Sequence, residues 1–226
     1  EEHSSDEGTL EIYYYRDPDG QVQFSRTEDP ATKYLDSVNE FGIREAEWYL
    51  CSRDTKAPCI MEPYDYEISE GYSELMTSLV VPILDDGTFA GVVGVDINLS
   101  TLQRTIAGVS QELFNGQSRG TLISEQGLIA ASSHYEEHLG RPLQEAVPEH
   151  GNTFAKLHQG EGSFDDGQTL AVAYPVEIRL PDAQWSLLIE LPRDAAVASV
   201  SEITGLLSDE VAATATRQSF VGIGVV

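Results

Sequence analysis

The stretch Leu75–Ile97, LMTSLVVPILDDGTFAGVVGVDI, decides how the chain is read. Two apolar, β-branched runs flank Asp85-Asp86-Gly87, a turn signal that places Gly where a positive φ is easiest. This predicts a β-hairpin in the middle of a sheet. Its second strand carries Asp96 inside Val92-Val93-Gly94-Val95-Asp96-Ile97. A carboxylate in an apolar strand needs a donor or a cation, because an unpaired buried charge is costly. Asp96 either holds a donor from its own chain or waits for a ligand.

Outward from the hairpin, two similar halves emerge. Leu10–Tyr15 reads as a strand, Asp17-Pro18-Asp19-Gly20 as a tight turn and Gln21–Phe24 as the returning strand. Residues 25–47 are looser, with a short helix entering at Glu45. A loop-rich crossing centred on Glu62-Pro63-Tyr64-Asp65-Tyr66 leads to the hairpin, and a helix capped by Asn98 or Ser100 runs from it to about Leu113. From Gly120 the order begins again: strand, turn and strand over Thr121–Ala130, a polar helical piece over Tyr135–Val147, then strands at Thr169–Val176 and Trp185–Pro192. An aromatic and an acid recur in the last strand of each half, Phe89 with Asp96 and Trp185 with Glu190. Tyr174 and Trp185 occupy core-like strand positions. The fold class is therefore α+β, with two successive modules built on antiparallel sheets. Arg193–Ser219 has helical spacing and heads toward the apolar end Phe220–Val226, either the start of a membrane span or a frayed terminus.

The 226 residues suit one large or two small domains, and 41% hydrophobic content excludes wholesale disorder. Lys plus Arg number 13 against 38 Asp plus Glu, a net charge of −25. That balance argues against nucleic acid and anionic lipid as partners; it either attracts cationic partners or reflects a highly solvated surface, adapted to salty surroundings, and by itself names no ligand. Cys51 and Cys59 bracket a short loop that forms a disulfide in an oxidising compartment, or remain two thiols. Their spacing fits no zinc pattern. No signal peptide stands at residue 1, and no apolar run approaches the roughly 20 residues that cross a bilayer.

Catalytic signatures are missing: there is no phosphate loop, nucleophile elbow or HExxH. His134 and His138 would share a helix face but lack a third ligand, so neither a metal nor a cofactor is expected. What stands out is a set of aromatics beside acids: Trp48, Tyr49, Tyr64, Tyr66 and Tyr72 with Asp65, Glu67 and Asp96. Aromatic faces attract cations, phenols accept from an ammonium, and a carboxylate supplies the countercharge. The set has the composition of an amine pocket, and the alternative is that several of these rings pack a core.

At these residues the chain resembles the double Cache sensor domains of bacterial chemoreceptors, the methyl-accepting chemotaxis proteins. The pieces are Trp48-Tyr49, Glu62-Pro63-Tyr64, Met76–Ile83, Gly91–Ile97, Gly120–Ser124 and Gly127–Ser132, and the likeness covers about residues 10–195. The resemblance implies two PAS-like modules in tandem, joined by a long N-terminal helix that is missing or truncated here. It implies a membrane-distal ligand-binding module over 9–115, a membrane-proximal module over 116–195, and a C-terminal helix over 196–226 leading to a transmembrane span.

The protein so implied is the periplasmic part of an inner-membrane receptor, a homodimer through its N-terminal helix, and not an enzyme. Amino-acid-binding members carry an Arg two residues before the Trp; here that position is Ala46, with Arg44 four before. Tyr64 and Asp96 match the amino-group site, with Asp65 or Tyr66 near. An ammonium site without its carboxylate clamp implies a polyamine or biogenic amine as ligand, held by Trp48, Tyr49, Tyr64, Asp65, Tyr66 and Asp96. Alternatives are a quaternary amine, an amino acid if Arg44 takes the clamp's place, and the sensor of a histidine kinase or a nucleotide-cyclase receptor. A periplasmic hydrolase using acidic residues is the reading from another class.

Overall fold

The computed structural model describes residues 8–198 apart from 18, 27–29, 70, 179, 181 and 182, and isolated positions beyond 198. It is a mixed fold in which every strand pairing is antiparallel. The chain opens with a hairpin of β1 (Ile12–Arg16) and β2 (Val22–Arg26). A 3-10 turn over Pro30–Tyr34 and helix α1 (Glu47–Thr55) follow.

The hairpin predicted from Leu75–Ile97 forms as β5 (Tyr72–Asp85) and β6 (Thr88–Asn98). Asp86 and Gly87 both take positive φ, 46° and 76°, the twist a two-residue hairpin turn requires. β5 is the spine of the first sheet. One side pairs with β6 along its length, the other with β3 (Cys59–Ile60) and β4 (Tyr64–Ser69) in turn. The loop-rich crossing is thus a correction: Tyr64–Ser69 is a strand, because alternation of Tyr64, Tyr66 and Ile68 with polar residues suits a half-buried edge. Gly94 sits against Val80, where a Cβ would come within 2.8 Å of a Val80 methyl, so any larger residue there would force Val80 to shift.

Helix α2 (Leu99–Glu112) starts as the sequence predicts, the Asn98 side chain accepting from the Ser100 amide at 2.7 Å. It packs on the second sheet, whose order is β8 (Ile129–Ser132), β7 (Arg119–Ile123), β11 (Ser186–Pro192), β10 (Thr169–Pro175) and β9 (Phe164–Asp165). One face, with Leu122, Ala130 and Ala131, meets Leu99 and Ile106 of α2 and Trp185. The other, with Ile123, Ile129 and Leu188, meets Leu143, Phe154 and Leu157. Burial on both faces leaves Gly120–Ile123 of β7 and all of β8 buried, polar Thr121 and Ser132 included, these two hydroxyls bonding each other at 2.8 Å.

Those last three residues come from α3 (Leu143–Ala146) and α4 (Gly151–His158). The helical piece expected over Tyr135–Val147 is only a 3-10 turn at Glu136–His138 and α3, because Gly140 (φ 74°) and Pro142 break it. His134 lies outside that turn, so the two histidines share no helix face. Tyr174 is also corrected: it is 70% exposed, whereas Trp185 is buried as expected. Residues 193–198 are helical; most of the expected C-terminal helix lies outside the described residues. No helix among the described residues is long and apolar enough to cross a membrane.

The two sheets touch through Ile60 and Leu75, which pack at the edge of the α2 core. Beside them the half-buried Glu62 carboxylate accepts from the Ser124 hydroxyl and, at 3.1 Å, from the Gln126 amide, both in the β7–β8 turn. Burial, first of all, lifts the Glu62 pKa above its ordinary value.

Candidate functional site

Register decides what the first sheet presents. Ser78 on β5 stands opposite Asp96 on β6, and Met76 links Tyr64 on β4 to Asn98 on β6. Alternation puts Tyr64, Tyr66, Ser78 and Asp96 on one face and Asp65, paired with Leu75, on the other. Asp65 is exposed there, away from Asp96.

Asp96 is half-buried and accepts from the Ser78 hydroxyl at 2.5 Å. Ser78 has one proton to give, so the Tyr64 hydroxyl, 2.6 Å from the Ser78 oxygen, donates to it in turn. The Tyr13 phenol of β1 lies beside the Asp96 carboxylate, which after burial is the next cause of its raised pKa. The Tyr13 and Tyr66 rings meet edge to face with centres 5.5 Å apart, and Tyr64 and Tyr66 lie 6.4 Å apart. Burial foremost, and then the neighbouring Asp96, raise the Tyr13, Tyr64 and Tyr66 phenols above their ordinary pKa. The three remain protonated around an acid whose hydrogen bonds come from hydroxyls. Among the described residues no Lys, Arg or His forms an ion pair with Asp96. A carboxylate has about four acceptor positions, and hydroxyl partners leave room for a ligand's N–H groups.

Trp48 and Tyr49 come from α1, which the Cys51–Cys59 disulfide ties to β3. Trp48 packs with Tyr64 on the buried cluster of Cys59, Met61 and Val80. Tyr49 turns the other way, its ring 5.5 Å from Tyr34 and 5.3 Å from Phe89. Of the six residues predicted from sequence, Tyr64, Tyr66 and Asp96 converge directly, Trp48 and Tyr49 line the adjoining aromatic wall, and Asp65 stands apart. Tyr72 bonds Glu74 at 2.8 Å. Sequence reasoning missed Ser78 and Tyr13. Ser78 could have been found by counting the hairpin register outward from its turn, except for the bulge at Ile83/Leu84. Tyr13 has no signal of its own, because it is one of three consecutive tyrosines in a separate hairpin.

Arg44 does not enter this site. Its guanidinium is held by Glu47 at 2.5 and 3.1 Å and by Asp54 at 2.7 Å, with Asp36 at 3.7 Å. Among the described residues no group of three His, Cys, Asp or Glu side chains could hold a metal ion.

Residues 2–104 match the family described as methyl-accepting chemotaxis protein-like, first PDC sensor domain. Residues 2–104 are thus similar to a Cache-type (PDC) sensor domain of the chemoreceptor kind. Over 209 residues, 91% of the chain, it is 30% identical to methyl-accepting chemotaxis protein TlpQ of Pseudomonas aeruginosa and covers 29% of that protein. The chain spans under a third of the length of the curated relatives it matches. Among solved structures its fold resembles the extracellular domain of the assigned histidine kinase mmHK1S-Z3, with TM-score 0.66 and 20% identity over 88% of this chain and 68% of that one. It also resembles the ligand-binding domain of the Pseudomonas fluorescens chemoreceptor CtaA in complex with L-serine, with TM-score 0.52 and 21% identity over 81% and 73%.

Proposed function

We propose that the chain is the periplasmic sensor region of a membrane-anchored chemotaxis receptor and binds a small cationic amine at Asp96. In this reading residues 9–115 are the membrane-distal, ligand-binding module and 116–195 the membrane-proximal one. Residues 196–226 lead to a membrane span, and the receptor works as a homodimer without chemistry of its own. One observation carries the ligand class: Asp96 is half-buried among Tyr13, Tyr64 and Tyr66, and its hydrogen bonds among the described residues come from hydroxyls. An ammonium supplies the missing charge and finds phenol rings beside it. The Cys51–Cys59 disulfide suits an oxidising compartment.

In the same reading, signalling uses the connection between the two sheets. A ligand that takes Asp96 as its countercharge pulls on β6 through Asp96 and on β4 through Tyr64 and Tyr66. β6 runs directly into α2, which packs on the second sheet. A histidine-kinase output is the second reading, supported by the fold likeness to that extracellular domain.

A thermal-shift screen of the purified chain against amines, amino acids and organic acids, followed by calorimetry, tests the ligand. Shifts with amines alone support the reading. Shifts with amino acids alone overturn it.

A further inference from the structure

β1 brings a second carboxylate toward the face from which Tyr13 reaches Asp96. Glu11 precedes Tyr13 by two residues, and side chains two apart in an extended chain share a face. Both Glu11 oxygens are buried and take no hydrogen bond among the described residues beyond an ion pair with the Lys33 ammonium. Lys33 belongs to the 3-10 turn at Pro30–Tyr34 and is 5% exposed. Its Nζ lies 5.4 Å from the centre of the Tyr34 ring and 5.8 Å from that of Tyr49. A buried carboxylate with two phenol rings beside it is a setting that holds an organic ammonium. Here the ammonium is the chain's own.

The two acidic corners are joined by one aromatic wall. Tyr34 meets Tyr49 at 5.5 Å, Tyr49 meets Trp48 at 5.7 Å, and Trp48 packs with Tyr64 on the disulfide-linked cluster. We propose that Glu11, Tyr34 and Tyr49 form a second ammonium subsite which Lys33 fills from within, making Lys33 the residue that restricts the pocket to ligands with one ammonium. The inference rests on the reading of Asp96 as an amine site. With Lys33 in place, the far ammonium of a diamine meets a neutralised carboxylate and a like charge. Without it, Glu11 is a buried acid lacking a partner, which a second ammonium satisfies.

Calorimetry with a matched pair, pentylamine and 1,5-diaminopentane, tests this on the intact chain. The wild type should bind the two within about threefold of each other, and Lys33→Met, which keeps an unbranched stem in the cage, should prefer the diamine by about tenfold or more. The double variant Glu11→Gln/Lys33→Met removes both charges and returns the pair to parity. Should Lys33→Met be unfolded at the assay temperature, the diamine and not the monoamine restores its melting transition. Equal affinities in Lys33→Met, no selective rescue, or a tenfold diamine preference already in the wild type overturns the proposal. Failure of the wild type to bind pentylamine breaks the Asp96 reading itself, so the wild-type monoamine titration tells the two failures apart.

Discussion

Asp96 and Glu190 occupy similar places, each an acid in the last strand of an antiparallel sheet, yet their surroundings differ. Glu190 is 4% exposed, the Tyr135 hydroxyl lies 3.0 Å from both its oxygens, and Arg119 is its register partner on β7. Burial foremost raises the Glu190 pKa, while the Tyr135 hydrogen bond and the Arg119 charge work against that rise. Asp96 is half-buried and its partners are hydroxyls. An acid with a phenol and a guanidinium beside it is finished as a piece of core. An acid ringed by phenols without a cation has its countercharge still to come. The contrast separates a structural carboxylate from a recognising one better than position in the strand does.

The sharpest way to break the comparison is to neutralise each acid. Asp96→Asn should weaken amine binding by about a hundredfold, the worth of a charge-assisted hydrogen bond, while moving the melting temperature little. Calorimetry and thermal melts read both quantities, and unchanged affinity would remove Asp96 from the site. Glu190→Ala should do the reverse, leaving the Tyr135 hydroxyl without its partner at a cost of about 2 kcal/mol in denaturant unfolding, with amine affinity kept.

Next in size is the covalent tie behind the site. Cys51 and Cys59 close a short loop between α1 and β3. Replacing both by Ser should cost about 2.5 kcal/mol of stability in urea unfolding, by the loop-closure entropy restored to the unfolded chain. It also frees Trp48 from its fixed place against Tyr64, so amine affinity should fall several-fold. Stability lost with affinity intact would make the aromatic wall dispensable.

A smaller effect separates the buried acids by pH. Glu62 and Glu190 both have folded-state pKa values raised above the ordinary 4.5, burial being the first cause. A carboxyl raised in this way binds its proton more tightly when folded. Its contribution is complete below pH 4.5 and is lost as the pH rises through the folded value. The groups facing Glu190 are Tyr135, Arg119 and His150, and those facing Glu62 are Ser124, Gln126 and Glu125. The exposed Asp54, lowered by Arg53 and then Arg44, and Asp165, lowered by the Gly167 amide and then Arg193, act oppositely but equally in both proteins compared. Melting temperature should therefore fall more steeply above pH 4.5 in the wild type than in Glu62→Gln/Glu190→Gln. Parallel profiles would show that the two acids titrate normally.

Much of this was legible in the sequence because it is local. The Asp86-Gly87 turn fixes the β5–β6 hairpin, Asn98 fixes the start of α2, and the apolar run Leu187–Ile189 of β11 announces a buried sheet. Asp96 stood out as a charge in an apolar strand. What could not be read depends on contacts between distant segments. Tyr13 reaches Asp96 from a hairpin more than 80 positions away, and Lys33 finds Glu11 across a turn with no regular period. Asp65 lies next to two site tyrosines in sequence, and strand alternation, invisible while that segment reads as loop, carries it to the other face.

The smallest expected effect concerns Arg44, the residue on which the choice between amines and amino acids turns. The sequence leaves open that Arg44 replaces the carboxylate clamp whose place Ala46 holds. In the structure Ala46 is buried at the start of α1, while the Arg44 guanidinium is bound by Glu47 and Asp54. To serve as a clamp it would have to give up these partners, leaving Glu47 without its guanidinium and Asp54 with Arg53 alone, in a chain already at net charge −25. A partly exposed network of this kind contributes at most about 1 kcal/mol, so Arg44→Ala should lower the melting temperature by at most about 4 °C. Amine affinity should stay within about twofold, because no ligand charge depends on this group. If Arg44→Ala instead abolishes binding of an amino acid that the wild type accepts, the guanidinium does reach the pocket. Asp96 would then be one half of a zwitterion site rather than an amine site by itself.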